Sequence, residues 1–372
     1  MSSYPVLSAD SHIFEPPDLW ETRMERRFRD RAPRFVVDWQ GRGGTWFVAE
    51  GAAPRLISGI AAVGLDKERL KDFRDAGFAD LRPGGWDPVE RLKDQDADGV
   101  SGEVVYATYA LGLFRMPDAA LQEAAFEAYN AWLAEYCGHA PARLKGLALI
   151  SLYDPSRAAE RLAHWVGRGL CGALVSFVPR EGEELSDATY TPFWRAAEEV
   201  GRPISLHTLT GSRPEPGRFT RESFGAGHYI TSPQEMQLTV ADILAHGLLE
   251  RHPGLRLVLA EADTGWLPHF LERLDRGHRR YGPQQGIDLP LLPSAYFRRQ
   301  VSATFINDRV GVFTRELVGV DNLMWSSDYP HTDSTWPNSR EVIARDFEGV
   351  PAEQRHKMVY SNAAALYGFN GG

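Results

Sequence analysis

Short, mostly continuous apolar runs alternate with helical segments along most of this 372-residue chain. Residues 6–9 read as a first strand. Further strand-like runs follow at 104–106, 147–152, 173–177, 204–207, 255–260, 301–305 and 323–326. Between them, residues 117–139, 155–166, 192–200, 233–246, 265–279 and 308–317 carry apolar side chains at helical spacing. Gly201 is placed to stop the third of these helices. Runs without polar alternation suit strands buried on both faces, and so a parallel sheet. About eight such strands, alternating with helices, predict an α/β fold, a distorted (β/α)8 TIM barrel, forming a single domain over 1–372. A doubly wound open sheet is the alternative, but neither G-x-G-x-x-G after a strand nor G-x-x-x-x-G-K-[ST] is present to support it.

One stretch breaks the pattern. Residues from about 16 to 88 are rich in Arg, Asp and Gly, with weak apolar spacing. They read as an insertion after the first strand, part of which can lie over the barrel mouth as a lid. Within it, Trp39-Gln-Gly-Arg-Gly-Gly-Thr-Trp46-Phe-Val reads as a hairpin with a Gly-rich turn.

Four of the apolar runs end in metal-ligand residues. They are Tyr4-Pro-Val-Leu-Ser-Ala-Asp10-Ser-His12, Arg202-Pro-Ile-Ser-Leu-His207, Leu255-Arg-Leu-Val-Leu-Ala-Glu261 and Leu323-Met-Trp-Ser-Ser-Asp328. Barrels of this kind keep their chemistry at the C-terminal ends of the strands. Asp10 and His12 are two apart, so both side chains can point to one side of a strand. Glu15, on the following loop, is a further candidate ligand or a partner for His12. Each residue also has a plain structural role open to it: Asp10 and Glu15 as caps of the Pro16-Pro17 loop, His207 as a core side chain, Asp328 as a helix cap. Their joint occurrence at four strand ends favours one mononuclear metal site.

These segments resemble the amidohydrolase superfamily, in the branch that includes aminocarboxymuconate-semialdehyde decarboxylase. The matching pieces are Asp10-Ser-His12-Ile-Phe-Glu15-Pro with Asp18-Leu-Trp, the Leu-His207 strand end, Glu250-Arg-His-Pro-Gly-Leu-Arg-Leu-Val-Leu-Ala-Glu261 with Trp266-Leu-Pro, and Trp325-Ser-Ser-Asp328-Tyr-Pro-His331. The resemblance implies a distorted barrel holding one divalent metal ion, with zinc favoured and manganese or iron as alternatives. It implies that the first-strand HxH signature is Asp10-Ser-His12 here, that the strand-five ligand is His207, and that the strand-eight Asp is Asp328. Where the family usually has a strand-six His, this chain has Glu261.

The expectation for the metal set is therefore Asp10, His12, Glu15, His207 and Asp328. Asp328, Glu261 and His228 are expected to be catalytic, with His228 and His331 orienting the substrate. A Glu in place of the strand-six His would repel a substrate carboxylate beside it. The expected reaction is thus hydrolysis of a lactone, an amide or a similar small carbonyl substrate by a metal-activated water. Non-oxidative decarboxylation of an aromatic or unsaturated acid is the alternative, with Arg55 or Arg213 binding the acid. A non-catalytic barrel is the third reading.

The remaining expectations follow from bulk properties. A net charge of −9 argues against nucleic-acid binding, which favours a basic face. No window nears the ~18 apolar residues of a membrane span, and Met1-Ser-Ser-Tyr-Pro lacks the basic and apolar regions of a secretion signal. The chain is expected to be cytoplasmic, to act on a small molecule and to form a homodimer. Cys137 and Cys171 lie in no C-x-x-C or Cys/His spacing and read as buried thiols.

Overall fold

The computed structural model describes residues 4–180, 182–211 and 225–369, and omits side chains at 67, 71 and 225–229. Eight strands pair side by side in one sheet, all parallel: β1 (Leu7–Ile13), β5 (Gly102–Ala107), β6 (Leu144–Leu149), β7 (Gly172–Val175), β8 (Ile204–His207), β9 (Leu257–Ala260), β10 (Val301–Phe305) and β11 (Leu323–Trp325). Every residue of β1, β5, β7, β8, β9 and β11 is buried, as in a parallel sheet covered on both faces, and in β1, β5 and β8 this takes in polar side chains. The sheet curls into a nearly closed (β/α)8 barrel. Its two edges meet through backbone hydrogen bonds beyond the ladder: His12 N–H donates to Tyr329 O (2.6 Å) and Asp328 N–H to Asp10 O (3.1 Å).

Helices cover the outside, and side-chain caps start several of them. Asp118 accepts from the N–H groups of Ala120 and Leu121 at the head of Ala119–Gly138, and Asp154 from Ser156 and Arg157 at the head of Pro155–Gly167. Gly201 ends Thr191–Val200 at φ +64°, a left-handed conformation that glycine adopts without strain. Two helices of eight or more residues went unread in the sequence, Pro88–Asp98 and Pro293–Gln300. A third, Gly225–Ala245, begins eight residues before Pro233, which lies inside it instead of opening it.

The stretch from 16 to 88 holds its own antiparallel sheet, β2 (Arg34–Val37), β3 (Thr45–Val48) and β4 (Arg55–Leu56). The hairpin's first strand precedes Trp39, and the glycines occupy the turn, with Asp38 accepting from Gly43 N–H (2.8 Å). Phe35 and Phe47 from this sheet pack on Tyr109, just past the end of β5, so the small sheet sits against the C-terminal end of the barrel.

Candidate metal centre

Five side chains from four strand ends converge. His12 Nε2 lies 3.5 Å from Asp10 Oδ1, 3.4 Å from Asp328 Oδ1 and 3.6 Å from Glu261 Oε2. His207 Nε2 lies 3.2 Å from His12 Nε2, 3.9 Å from Asp10 Oδ1 and 2.9 Å from Glu261 Oε2. Donors bound about 2.1 Å from one cation stand roughly 3 Å apart, which is the spacing seen. Two overlapping sets, Asp10–His12–His207 and His12–Glu261–Asp328–His331, each keep their ligand atoms within 4.8 Å of one another.

The hydrogen bonds behind these atoms decide what they face. The Nδ1–H of His12 donates to Ala107 O (2.7 Å) and that of His207 to Thr208 O (2.6 Å). Both Nε2 lone pairs therefore point into the cluster, as metal-binding imidazoles require. Asp10 Oδ1, Asp328 Oδ1 and Glu261 Oε2 are buried and accept no hydrogen bond among the described residues. Buried carboxylate oxygens without partners are costly, and here they face imidazole lone pairs. A divalent cation beside His12, the residue the two sets share, would give these oxygens a partner. The residues present fit a metal ion.

Electrostatics agree. Burial pushes the Asp10 carboxyl up to about 6 and the Asp328 carboxyl well above its ordinary range, with Glu261 adding to both. Burial pulls His12 down to about 4. His207 resists burial, because the Glu261 carboxylate lifts it to about 9, and the same pairing holds Glu261 well below the usual carboxylate range. Strain is concentrated here as well. Glu261 (φ +54°), Asp263 (φ +50°) and Asp328 (φ +55°) are non-glycine residues in left-handed conformations, which persist where surrounding contacts enforce them. Thr304 supplies one such contact: its hydroxyl donates to Asp10 Oδ2 (3.0 Å) and accepts from Glu261 N–H (3.1 Å).

The expected residues are not all brought together. Asp10, His12, His207 and Asp328 are. Glu15 is not: its carboxylate accepts the N–H groups of Thr108, Tyr109 and Ala110 at 3.0–3.1 Å, which occupies it away from the cluster. Glu261, expected as a base, instead turns Oε2 toward His207. His331, expected to orient the substrate, lies 2.9 Å from Asp328 Oδ1 through Nδ1, meets Thr108 Oγ1 through Nε2 (3.0 Å) and stacks on His12. The side chain of His228 and all of Arg213 lie outside the described residues. Thr304 and Thr108 were missed, since a threonine in a strand or turn carries no sequence signal of such a role.

A barrel with this cluster at the C-terminal end of its strands defines a metal-dependent class of enzyme. The chain belongs to the amidohydrolase family, whose model matches residues 60–369. It is similar to the gamma-resorcylate decarboxylase of Rhizobium sp. (strain MTP-10005), 25% identical over 303 residues, which cover 76% of this chain and 87% of that protein. Among solved structures it resembles an amidohydrolase from Mycobacterium avium subsp. paratuberculosis, with TM-score 0.81 and 22% identity over 99% of this chain and 100% of the other. It also resembles the 5-carboxyvanillate decarboxylase of Novosphingobium aromaticivorans, solved with manganese and 4-hydroxy-3-methoxy-5-nitrobenzoic acid, with TM-score 0.72 and 19% identity over 98% and 96% of the two chains.

Proposed function

We propose that this chain is a metal-dependent, non-oxidative decarboxylase of an aromatic carboxylic acid that carries an oxygen next to its carboxylate. The similarity to a gamma-resorcylate decarboxylase supports this over the hydrolysis expected from the sequence. That expectation rested on Glu261 as an anion facing the substrate. Its Oε2 instead lies 2.9 Å from His207 Nε2, among the candidate ligands, so its charge is taken up there.

The single observation that carries the proposal is Arg55. It lies on β4 of the small sheet, partly buried, and its guanidinium makes no hydrogen bond or ion pair among the described residues. Burial and the neighbouring Arg115 lower its pKa, and its charge acts on Glu261, Tyr109, Glu15 and His331. An unpaired, half-desolvated guanidinium beside a metal centre calls for an anion, and a carboxylate matches its fork geometry.

In this reading Asp10, His12, His207, Asp328 and Glu261 hold the metal. Three carboxylates and two imidazoles make an oxygen-rich set, so we favour manganese over the zinc expected from the sequence. When bound, the cation supplies Lewis-acid polarisation of the substrate's oxygens. Arg55 binds and orients the carboxylate. The bond from ring carbon to carboxyl carbon breaks, its electron pair stays on the ring, carbon dioxide departs, and the ring carbon takes a proton. The Asp328–His331 pair, 2.9 Å apart and shielded from water, is the group able to hold that proton beside the cluster. A cytoplasmic location and a homodimer belong to the same reading. The two buried free thiols support the first, and the exposed Val310, Phe313 and Leu317 along the helix Arg309–Val318 support the second.

Turnover of hydroxybenzoates in D₂O tests the reaction. Deuterium on the ring carbon that bore the carboxylate is the expected result; a product that keeps its carboxylate would overturn the proposal.

A further inference from the structure

The barrel's seam lies inside the metal centre. Asp10 and His12 stand on β1, and Asp328 follows β11. Among the described residues these two strands share no ladder; the seam is crossed by the two backbone hydrogen bonds that join His12 to Tyr329 and Asp328 to Asp10, and by bonds from Ser327 to the hydroxyls of Ser8 and Ser11. Three candidate ligands therefore sit on the two strand ends with the least sheet support. Asp328 is also held in a left-handed conformation that its own chain does not favour.

Arg91 lies beneath this seam. It comes from the helix Pro88–Asp98, the first element after the insertion, and is wholly buried. Its Nη1 donates to His12 O (2.7 Å) and more weakly to Gly84 O (3.4 Å); its Nη2 reaches Tyr329 O (3.4 Å). The guanidinium also lies 4.5 Å over the Tyr329 ring. Its Nε donates to Glu103 Oε2 (2.5 Å), and that carboxylate accepts from Gln95 Nε2 (2.6 Å) and Ser11 Oγ (3.1 Å). One rigid, permanently charged fork thus grips the carbonyl of His12, the carbonyl next to Asp328, and the strand that supplies Ala107 O to His12. A lysine has a single donor point and cannot make this set of contacts at once.

We propose that Arg91 is a positioning residue for the metal centre: it fixes the spacing of His12 and Asp328 across the unladdered seam. The inference rests on the metal centre of the proposed function and not on which reaction the centre runs. A plain structural role for the buried Arg91–Glu103 pair makes a different prediction. Replacing both charges with uncharged groups of similar volume is often tolerated by folding, and with a plain role metal binding would be tolerated too.

The test is manganese affinity, read from the electron paramagnetic resonance signal of free Mn²⁺, beside thermal unfolding of the metal-free proteins. Wild type is compared with Arg91→Lys and with Arg91→Met/Glu103→Gln. The expected result is variants that unfold within a few degrees of wild type yet bind Mn²⁺ at least tenfold more weakly. Folded variants that bind Mn²⁺ as wild type does overturn the proposal. Arg91→Lys still neutralises Glu103 and decides alone if the double variant does not fold. A wild-type protein that takes up no Mn²⁺ sinks the metal centre itself, a separate failure.

Discussion

The carboxylate of Glu261 lies 2.9 Å from Nε2 of His207, with the imidazole's other nitrogen already donating to a backbone carbonyl. Two acceptors at that distance need a positive charge between them, either a second proton on His207 or a cation shared by both. The Glu261 carboxylate lifts His207 to about 9 against the pull of burial; in the proposed enzyme a divalent cation would satisfy both groups.

Glu261→Gln removes one negative charge from the cluster at nearly constant size. Mn²⁺ affinity should fall by about tenfold or more, roughly 1.4 kcal/mol. A titration showing unchanged affinity would mean that Glu261 stands outside the metal set.

Glu15 separates a ligand role from a supporting one. Its carboxylate holds the turn after β5, where Ala107 O orients His12 and Thr108 meets His331. Glu15→Gln puts an amide N–H₂ where N–H groups already converge, and should cost about 1–3 kcal/mol of stability. Metal stoichiometry by elemental analysis should stay near one. Complete loss of metal with unchanged stability would make Glu15 a ligand after all.

Arg55→Met should raise KM for an aromatic acid by about 10- to 100-fold, the loss of a charge-assisted hydrogen bond worth roughly 1.5–3 kcal/mol. Metal content should be unchanged. Steady-state kinetics with unaltered KM would remove Arg55 from the substrate site.

The two thiols give a check on the core. Burial pushes Cys171 up to about 12 and Cys137 higher still. At pH 8, well below both values, the reactive thiolate form of Cys171 is roughly one part in ten thousand. Both should resist a thiol reagent in native protein over hours and react within minutes in denaturant. Rapid labelling of native protein would contradict the packing around β6 and β7.

Strands such as Leu-Val-Leu-Ala of β9 and Leu-Met-Trp of β11 were legible as continuous apolar runs; β8 and β10, interrupted by Ser205, Ser302 and Thr304, still match the sequence reading residue for residue. His207, Asp10, His12 and Asp328 were legible for a related reason, since polar ligand types stand out at the end of an apolar run. Glu15 stayed open between ligand and supporting partner because a carboxylate three residues past His12 looks the same whether it meets a metal or three backbone amides. Glu261 was read as a substrate-facing anion because its orientation depends on φ +54°, which no side-chain pattern reports. Arg55 could not be told from Arg213 by sequence, because only the pairing of β3 with β4 carries it to the barrel mouth. Arg91 left no trace at all: it is one arginine in a helix whose composition is otherwise that of an exposed one.

Carbon dioxide release from ortho-hydroxy aromatic acids, followed with manganese-loaded and chelator-treated protein, separates decarboxylation from hydrolysis. Release should match loss of the acid one for one, vanish with the chelator and return with Mn²⁺. Release that the chelator leaves untouched would contradict the proposed function, as would a manganese-loaded protein that spares every such acid while opening a lactone or an amide.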